Sequence, residues 1–225
     1  MYRQTIHQES NEPVIRFTPP AFSPLSPRFL SALNYATSLH ARQFRKGTKI
    51  PYISHLYSVA ALVMEAGGTE AEVTAALLHD AVEDQGGAPI LALIRDQFGV
   101  KVADIVNGCT DDIPEADKPK KPWRIRKEAY IAHLGKASCS VRLVSNADKL
   151  HNARCILKDY KELGGALWQR FNASRDDILW YYRALADIFL QNPTNRQLAT
   201  ELGETVALLN SHCDSLRSGE KCTRD

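Results

Sequence analysis

A histidine and three carboxylates crowd the end of an otherwise apolar run, Val73–Asp84, as His79, Asp80, Glu83 and Asp84. At 100° per residue these four positions fall within an arc of roughly 140° on a helix. Burying that many charges is unfavourable unless something compensates them. A divalent cation does so: the adjacent His79 and Asp80 are suited to ligation, and Glu83 and Asp84, one turn on, to working on its water. The plain alternative is a solvated helix face with a chance His–Asp pair.

Two further segments carry matching residue types. His55 follows Pro51, Tyr52, Ile53 and Ser54 and opens a helix running through Val59–Val63. Asp148 lies in an apolar helix spanning 141–154, with His151 and Asn152 close behind it. His55, His79, Asp80 and Asp148 form a mixed imidazole and carboxylate set. Such a set suits Mn2+, Fe2+ or Zn2+ and fits Ca2+ poorly. Each piece also has an ordinary reading: His55 as a helix-start residue, Asp148 as the partner of Arg154 or Lys149. A single shared site accounts for all three segments at once. His151 could orient a ligand from one turn away, but the expectation is a packed core residue.

The elements that position these groups read as helices. Ser26-Pro27 is an N-cap and first-turn pair for a helix over roughly 28–43. Gly67-Gly68 ends the His55 helix, and Thr69 with Glu72 forms a capping box that starts the His79 helix. Gly86-Gly87 stops that helix just past Asp84. The acidic pair is thus expected at a helix C-terminus, where the dipole disfavours negative charge. Such local violations tend to mark functional sites. Further helices are expected at about 89–98, 100–109, 124–134, 138–157, 173–190 and 195–211. No alternating strand pattern and no internal repeat is present, so the fold class is all-α, a single-domain helical bundle. Residues 1–27, with Pro13, Pro19, Pro20, Pro24 and Pro27, read as a largely irregular arm; 28–192 as the domain; 193–225 as a helix with a polar tail.

A chain of 225 residues can bury a sizeable core. Its net charge of +2 is too small to suggest bulk nucleic-acid binding. The five cysteines are odd in number and unpaired by any CxxC spacing. With no apolar leader near Met1 and no run long enough to span a bilayer, the chain is expected in the cytoplasm, without membrane association. No cysteine has a base at a spacing that would indicate nucleophilic catalysis.

Four strings, in order and spacing, resemble the hydrolase domain of RelA/SpoT proteins within the HD-domain metal phosphohydrolases. They are Phe44–Gly47 with Pro51–His55, Ala75–Asp84, Phe98–Thr110, and Ala147–Arg154. The resemblance covers roughly residues 28–190 and is to the small, stand-alone alarmone hydrolases. It implies hydrolysis of ppGpp and pppGpp at the 3′-diphosphate, giving GDP or GTP and pyrophosphate. It also implies one Mn2+, with Fe2+ or Zn2+ as alternatives, held by His55, His79, Asp80 and Asp148. Glu83 and Asp84 would be the catalytic acids acting on water.

A substrate with two diphosphates calls for cations. Arg42, Arg45 and Lys46 precede the His55 helix, and Arg154 and Arg175 sit in or beside apolar helices. The stretch Lys118–Lys127 contains Lys121, Arg124 and Arg126 among six cations and no acid. A charge run is ordinarily solvated, and Asp111, Asp112, Glu115 and Asp117 could pair with this one. Two prolines and Trp123 stiffen it, which favours a phosphate-facing loop. The resemblance places Arg45, Lys46 and Asn152 against the nucleoside. The chain departs from the family at Leu56 (often Pro), Gln85 (often Thr), Lys149 (often Arg) and Cys155 (often Thr). Leu179 stands where a Tyr is expected if Arg175 is the family arginine, and Trp180, Tyr181 or Tyr182 would then substitute. These departures leave the metal and its water chemistry intact and base and phosphate preference open, so an adenine alarmone or NADPH as substrate stays an alternative. A silent alarmone-binding domain is a separate one, against which the intact Glu83-Asp84 pair argues. The pattern is silent on oligomeric state.

Overall fold

The computed structural model describes residues 25–113 and 121–220, with side chains to residue 214. The proline-rich part of the expected arm, Lys118 and Lys120 of the basic stretch, and the last five residues lie outside these.

The start at Ser26 forms as expected. Its hydroxyl accepts from the Arg28 N–H, and Pro27 opens α1 (Pro27–Leu39). The helix stops short of 43 because the chain turns at His40 into a loop closed by an antiparallel bridge between Phe44 and Pro51. Within it the Arg45 N–H donates to Ile50 and the Tyr52 N–H to Gln43. α2 (Ile53–Glu65) follows, and the Thr69–Glu72 capping box starts α3 (Glu70–Leu78).

The continuous helix expected through Asp84 is interrupted. α3 ends at Leu78, and α4 (Ala81–Gln85) begins after His79 and Asp80, both of which keep right-handed helical torsions. The His79 Nδ1–H donates to the Ala76 carbonyl at 2.8 Å. It competes there for the acceptor that the next backbone N–H would use. Glu83 and Asp84 therefore lie in the one turn of a five-residue helix capped by Gly86, so they stand before the expected stop but with only a single turn of dipole behind them.

The remaining elements are α5 (Ala88–Phe98), α6 (Val100–Cys109), α7 (Trp123–Leu134), α8 (Cys139–Leu163), a 3-10 helix (Gly164–Arg170), α9 (Arg175–Gln191) and α10 (Arg196–Glu220). α8 and α10 run past their expected ends at 157 and 211. Among the described residues no strand forms, in keeping with an all-α chain.

α8 is the axis of the bundle, with α2, α3, α6, α9 and α10 packed around it. Val144, Ala147, Leu150 and Ala153 are fully buried, and so, nearly, are Ser145, Asn146 and Asp148. Each fully buried leucine of this kind contributes about 2 kcal/mol of transfer free energy. α6 approaches α8 closely at Gly108, where a Cβ would lie 2.5 Å from Val141 Cγ2. α10 adds Leu198, Leu202, Val206 and Leu209 to the same core.

Candidate active site

Three separate segments bring four side chains to one point. His55 stands in the first turn of α2, His79 and Asp80 at the α3–α4 interruption, and Asp148 midway along α8. His55 Nε2 lies 3.5 Å from Asp80 Oδ2 and 3.2 Å from Asp148 Oδ1. His79 Nε2 lies 3.2 Å and 3.6 Å from the same two oxygens. His55, His79 and Asp148 are buried; Asp80 reaches the edge, its side chain 21% exposed.

Local bonding aims the two rings. The His79 Nδ1–H is held by the Ala76 carbonyl, and His55 Nδ1 is paired with His151 Nδ1 at 2.8 Å. Each Nε2 then faces the carboxylates, and His79 Nε2 is buried without a hydrogen bond. An orphaned nitrogen lone pair between two carboxylates fits a divalent cation. Ligand atoms about 2.1 Å from a shared ion lie about 3.0–3.4 Å apart, close to the spacings here. The donors are nitrogen and oxygen with no thiolate, which suits the first-row ions.

Burial alone would raise the Asp80 carboxyl, but His79 and His55 reverse that and hold it well below the usual carboxylate range. Asp148 behaves alike: burial raises it, and Lys149 with the two histidines holds it low. Outer partners orient both acids. The Tyr52 hydroxyl donates to Asp80 Oδ2 at 2.6 Å, the Lys149 ammonium to Asp148 Oδ2 at 2.6 Å, and the Asn152 amide to Asp148 Oδ1. The ordinary reading of Asp148 as a partner of Lys149 therefore holds alongside the cluster. His151 corrects an expectation. It is half-buried rather than core, and burial with the nearby His55 and Arg45 pushes its imidazole down to about 4. It meets His55 as a neutral ring.

Glu83 is half-buried and Asp84 exposed on α4, and Asp84 Oδ2 accepts from the Gln43 amide at 2.7 Å. Burial and then the charges of Asp80 and Asp84 push the Tyr52 phenol up, which places both acids near its ring.

A cavity of about 600 Å³ opens beside the cluster, touching it through Tyr52, Lys149, His151 and Asn152. Arg45, Lys46, Lys127, Lys149, Lys158 and Arg170 line it against one acid, Asp159. Trp123, Tyr181 and Tyr182 supply an aromatic wall. Arg45 donates to Asn152 Oδ1 at 2.6 Å and its guanidinium lies 5.6 Å from the Tyr52 ring centroid. Lys46 donates to Asn172 at 2.9 Å. Gly47, at φ +70°, lets the Arg170 side chain cross the loop; a Cβ there would meet three Arg170 atoms at 2.7–2.9 Å.

Five expected substrate cations do not line this cavity. Arg124 and Arg126 belong to α7, not to a loop. Arg124 pairs with Glu128 and Asp177 at 2.8 and 3.1 Å and covers the Trp180 ring. Arg126 donates to both oxygens of Asp111 at 2.9 and 2.8 Å, so internal pairing prevails there. Lys121 is exposed at the α7 start, its carbonyl taken by Arg126. Arg154 points outward to Glu201, and Arg175 to Asp176. Of the three aromatics offered in place of Leu179, Tyr181 and Tyr182 reach the cavity.

Asp111 has a measurable consequence. Burial raises its carboxyl, but Lys127 and Arg126 more than offset this and hold it below its ordinary 3.8. Its stabilisation is complete above that value and is lost as pH falls through the lower folded value. Asp111→Asn should cost roughly 3 kcal/mol at neutral pH, near the low end for a broken buried pair. Denaturant unfolding from pH 6 to pH 2 should show the gap to wild type closing on the acid side. A gap independent of pH would remove the ionic explanation.

Sequence reasoning missed Lys149, Lys158 and Arg170 as cavity residues, while Lys127 is the described member of the basic stretch that does line the cavity. Lys149 had a signal, adjacency to Asp148. Arg170 had none, because only the folded loop at Gly47 brings it across.

The profile of the HD-domain family matches residues 32–179. The chain belongs to the HD-domain family. This HD domain is 38% identical over 128 residues to the guanosine-3′,5′-bis(diphosphate) 3′-pyrophosphohydrolase MESH1 of Xenopus tropicalis, covering 56% of this chain and 67% of that one. It is 36% identical over 132 residues to the Drosophila melanogaster protein of the same name, covering 57% and 69%. Among solved structures it is similar to a metazoan orthologue of SpoT described as hydrolysing ppGpp, at a TM-score of 0.64 and 30% identity over 84% of this chain and 96% of that one. Among the described residues, no helix of the HD domain is long and apolar enough to cross a membrane.

Proposed function

We propose that this chain hydrolyses ppGpp and pppGpp at the 3′-diphosphate, releasing pyrophosphate and leaving GDP or GTP. The observation that carries it is the join between the two-histidine, two-carboxylate cluster and a cation-lined cavity of nucleotide size. The activities named for the similar proteins support the same reaction.

We assign His55, His79, Asp80 and Asp148 as ligands of one ion, with Mn2+ as the ion and Fe2+ or Zn2+ as chemically similar occupants. Such an ion supplies Lewis acidity, acidifying water and drawing charge from a phosphoryl oxygen. Glu83 and Asp84 orient the attacking water and take its proton. Water adds to the proximal 3′ phosphorus, the bond to the ribose 3′ oxygen breaks, and that oxygen leaves with a proton. Lys149 at the cluster edge, with Lys46 and Arg170, neutralises phosphate charge. Arg45 and Asn152, already bonded to each other, face the nucleoside, and the aromatic wall gives the base a flat surface.

A panel of ppGpp, pppGpp, an adenine alarmone and NADPH, with Mn2+ and pyrophosphate detection, tests this. Pyrophosphate release fastest from the guanine alarmones is expected. NADPH preference would assign a different phosphatase, and binding without turnover a sensor. Lys46→Gln and Arg170→Gln should each raise KM about tenfold, equivalent to roughly 1.4 kcal/mol for one lost cation–phosphate contact. A normal KM in both variants would mean these cations face solvent.

A further inference from the structure

His40 is a buried histidine with no part in the site described above. It caps the C-terminus of α1, is 2% exposed, and its Nε2 has no hydrogen-bond partner. A leucine would fill the space without stranding a polar nitrogen. Its Nδ1 lies 2.7 Å from Gln43 Oε1. The same oxygen accepts from Gln85 Nε2 at 2.7 Å, while Gln43 Nε2 donates to Asp84 Oδ2 at 2.7 Å. The His40 ring stacks on Tyr52, with centroids 5.3 Å apart, and the Tyr52 hydroxyl reaches Asp80.

Chemistry fixes which way the Gln43 amide points. Turned over, its Oε1 would face an ionised Asp84 at 2.7 Å, acceptor against acceptor. With Nε2 on Asp84, Oε1 needs donors, and His40 and Gln85 provide two. The shorter contact, 2.7 Å from His40 Nδ1 to Gln43 Oε1, assigns the Nδ1–H tautomer over the 3.4 Å approach of Gln85 Nε2 to the same nitrogen. Gln85, a departure from the threonine common in the resembling family, brings an amide donor that a threonine does not carry.

We propose that Gln43 is a positioning residue for Asp84, locked in orientation by His40 and Gln85, so that the carboxylate is held turned to its task. This rests on the reading of Asp84 as a water-activating acid. A donor on one oxygen limits rotation of the carboxylate. Arg42 shares the shallow depression around Asp84, Glu83 and Asp80 precede it on the chain, and Tyr52 lies close by. All of these stay constant when Gln43 alone is changed.

Gln43→Glu keeps the shape, removes the donor and sets a second carboxylate against Asp84. With ppGpp and Mn2+, kcat should fall about one to two orders of magnitude while KM stays within about threefold, a split that a general loss of packing would not give. His40→Leu should lower kcat as well. His40→Asn, which keeps an N–H near the Nδ1 position, should restore part of that loss. A kcat and KM that fall together with the melting temperature, or no recovery in His40→Asn over His40→Leu, overturns the proposal. Asp84→Asn separates the two levels. A wild-type rate there removes Asp84 from the chemistry; a crippled rate there beside a normal Gln43→Glu overturns the positioning alone.

Discussion

Asp80→Ala will keep the helical fold and lose both bound metal and ppGpp turnover. The side chain sits at the α3–α4 interruption, within 3.5 Å of both histidine Nε2 atoms, and takes no helix-capping hydrogen bond. Changing an outer partner of a metal ligand typically lowers affinity about 10–100-fold, so removing a ligand should exceed about 100-fold. The fold loses an acceptor for the Tyr52 hydroxyl, roughly 1–3 kcal/mol, against a total of about 5–15 kcal/mol for a domain. Asp80→Asn preserves that acceptor and the shape while removing the charge. Its melting temperature should stay nearer wild type while metal retention still falls. Metal analysis, circular dichroism and pyrophosphate release on the two variants decide the matter. Full metal content and a full rate in Asp80→Ala would sink the ligand assignment.

Glu83→Gln should bind metal and substrate normally and slow the chemical step by roughly two to four orders of magnitude, the usual size of a general-base contribution. Glu83 is half-buried in the first turn of α4, three residues beyond Asp80. Glutamine keeps its reach and its hydrogen bonding but cannot take a proton. Single-turnover measurement at saturating ppGpp isolates that step from product release. An unchanged rate would pass the role to Asp84.

The candidate cluster was readable because each member sits in a short apolar string with local signals of its own. Ser26, Thr69 and Glu72 likewise announced helix starts through bonds spanning two or three residues. The interruption at His79–Asp80 was hidden, since no glycine or proline marks it and both residues keep helical torsions. It comes from a side chain competing for a backbone carbonyl. Arg126 shows a second limit: a basic stretch reads the same whether it meets phosphate or Asp111, and only the return of α7 beside α6 decides. The extension of α8 past 157 was obscured because Lys158–Leu163 is mostly exposed, with Tyr160 its one buried residue, so the apolar repeat fades there. His151 was within reach, as it lies three residues past Asp148 and so shares its side of the helix.

The four clustered side chains come from positions 55, 79, 80 and 148, on segments that meet only when α2, α3 and α8 have docked. Contacts so far apart in the chain form late and together. A nascent chain released before α8 is made carries two histidines and one acid with nothing to close around. Neither a fragment nor a half-folded intermediate can then assemble the hydrolytic centre. Catalysis would thus require α2, α3 and α8 to be docked together, so that activity itself reports that this part of the fold has formed.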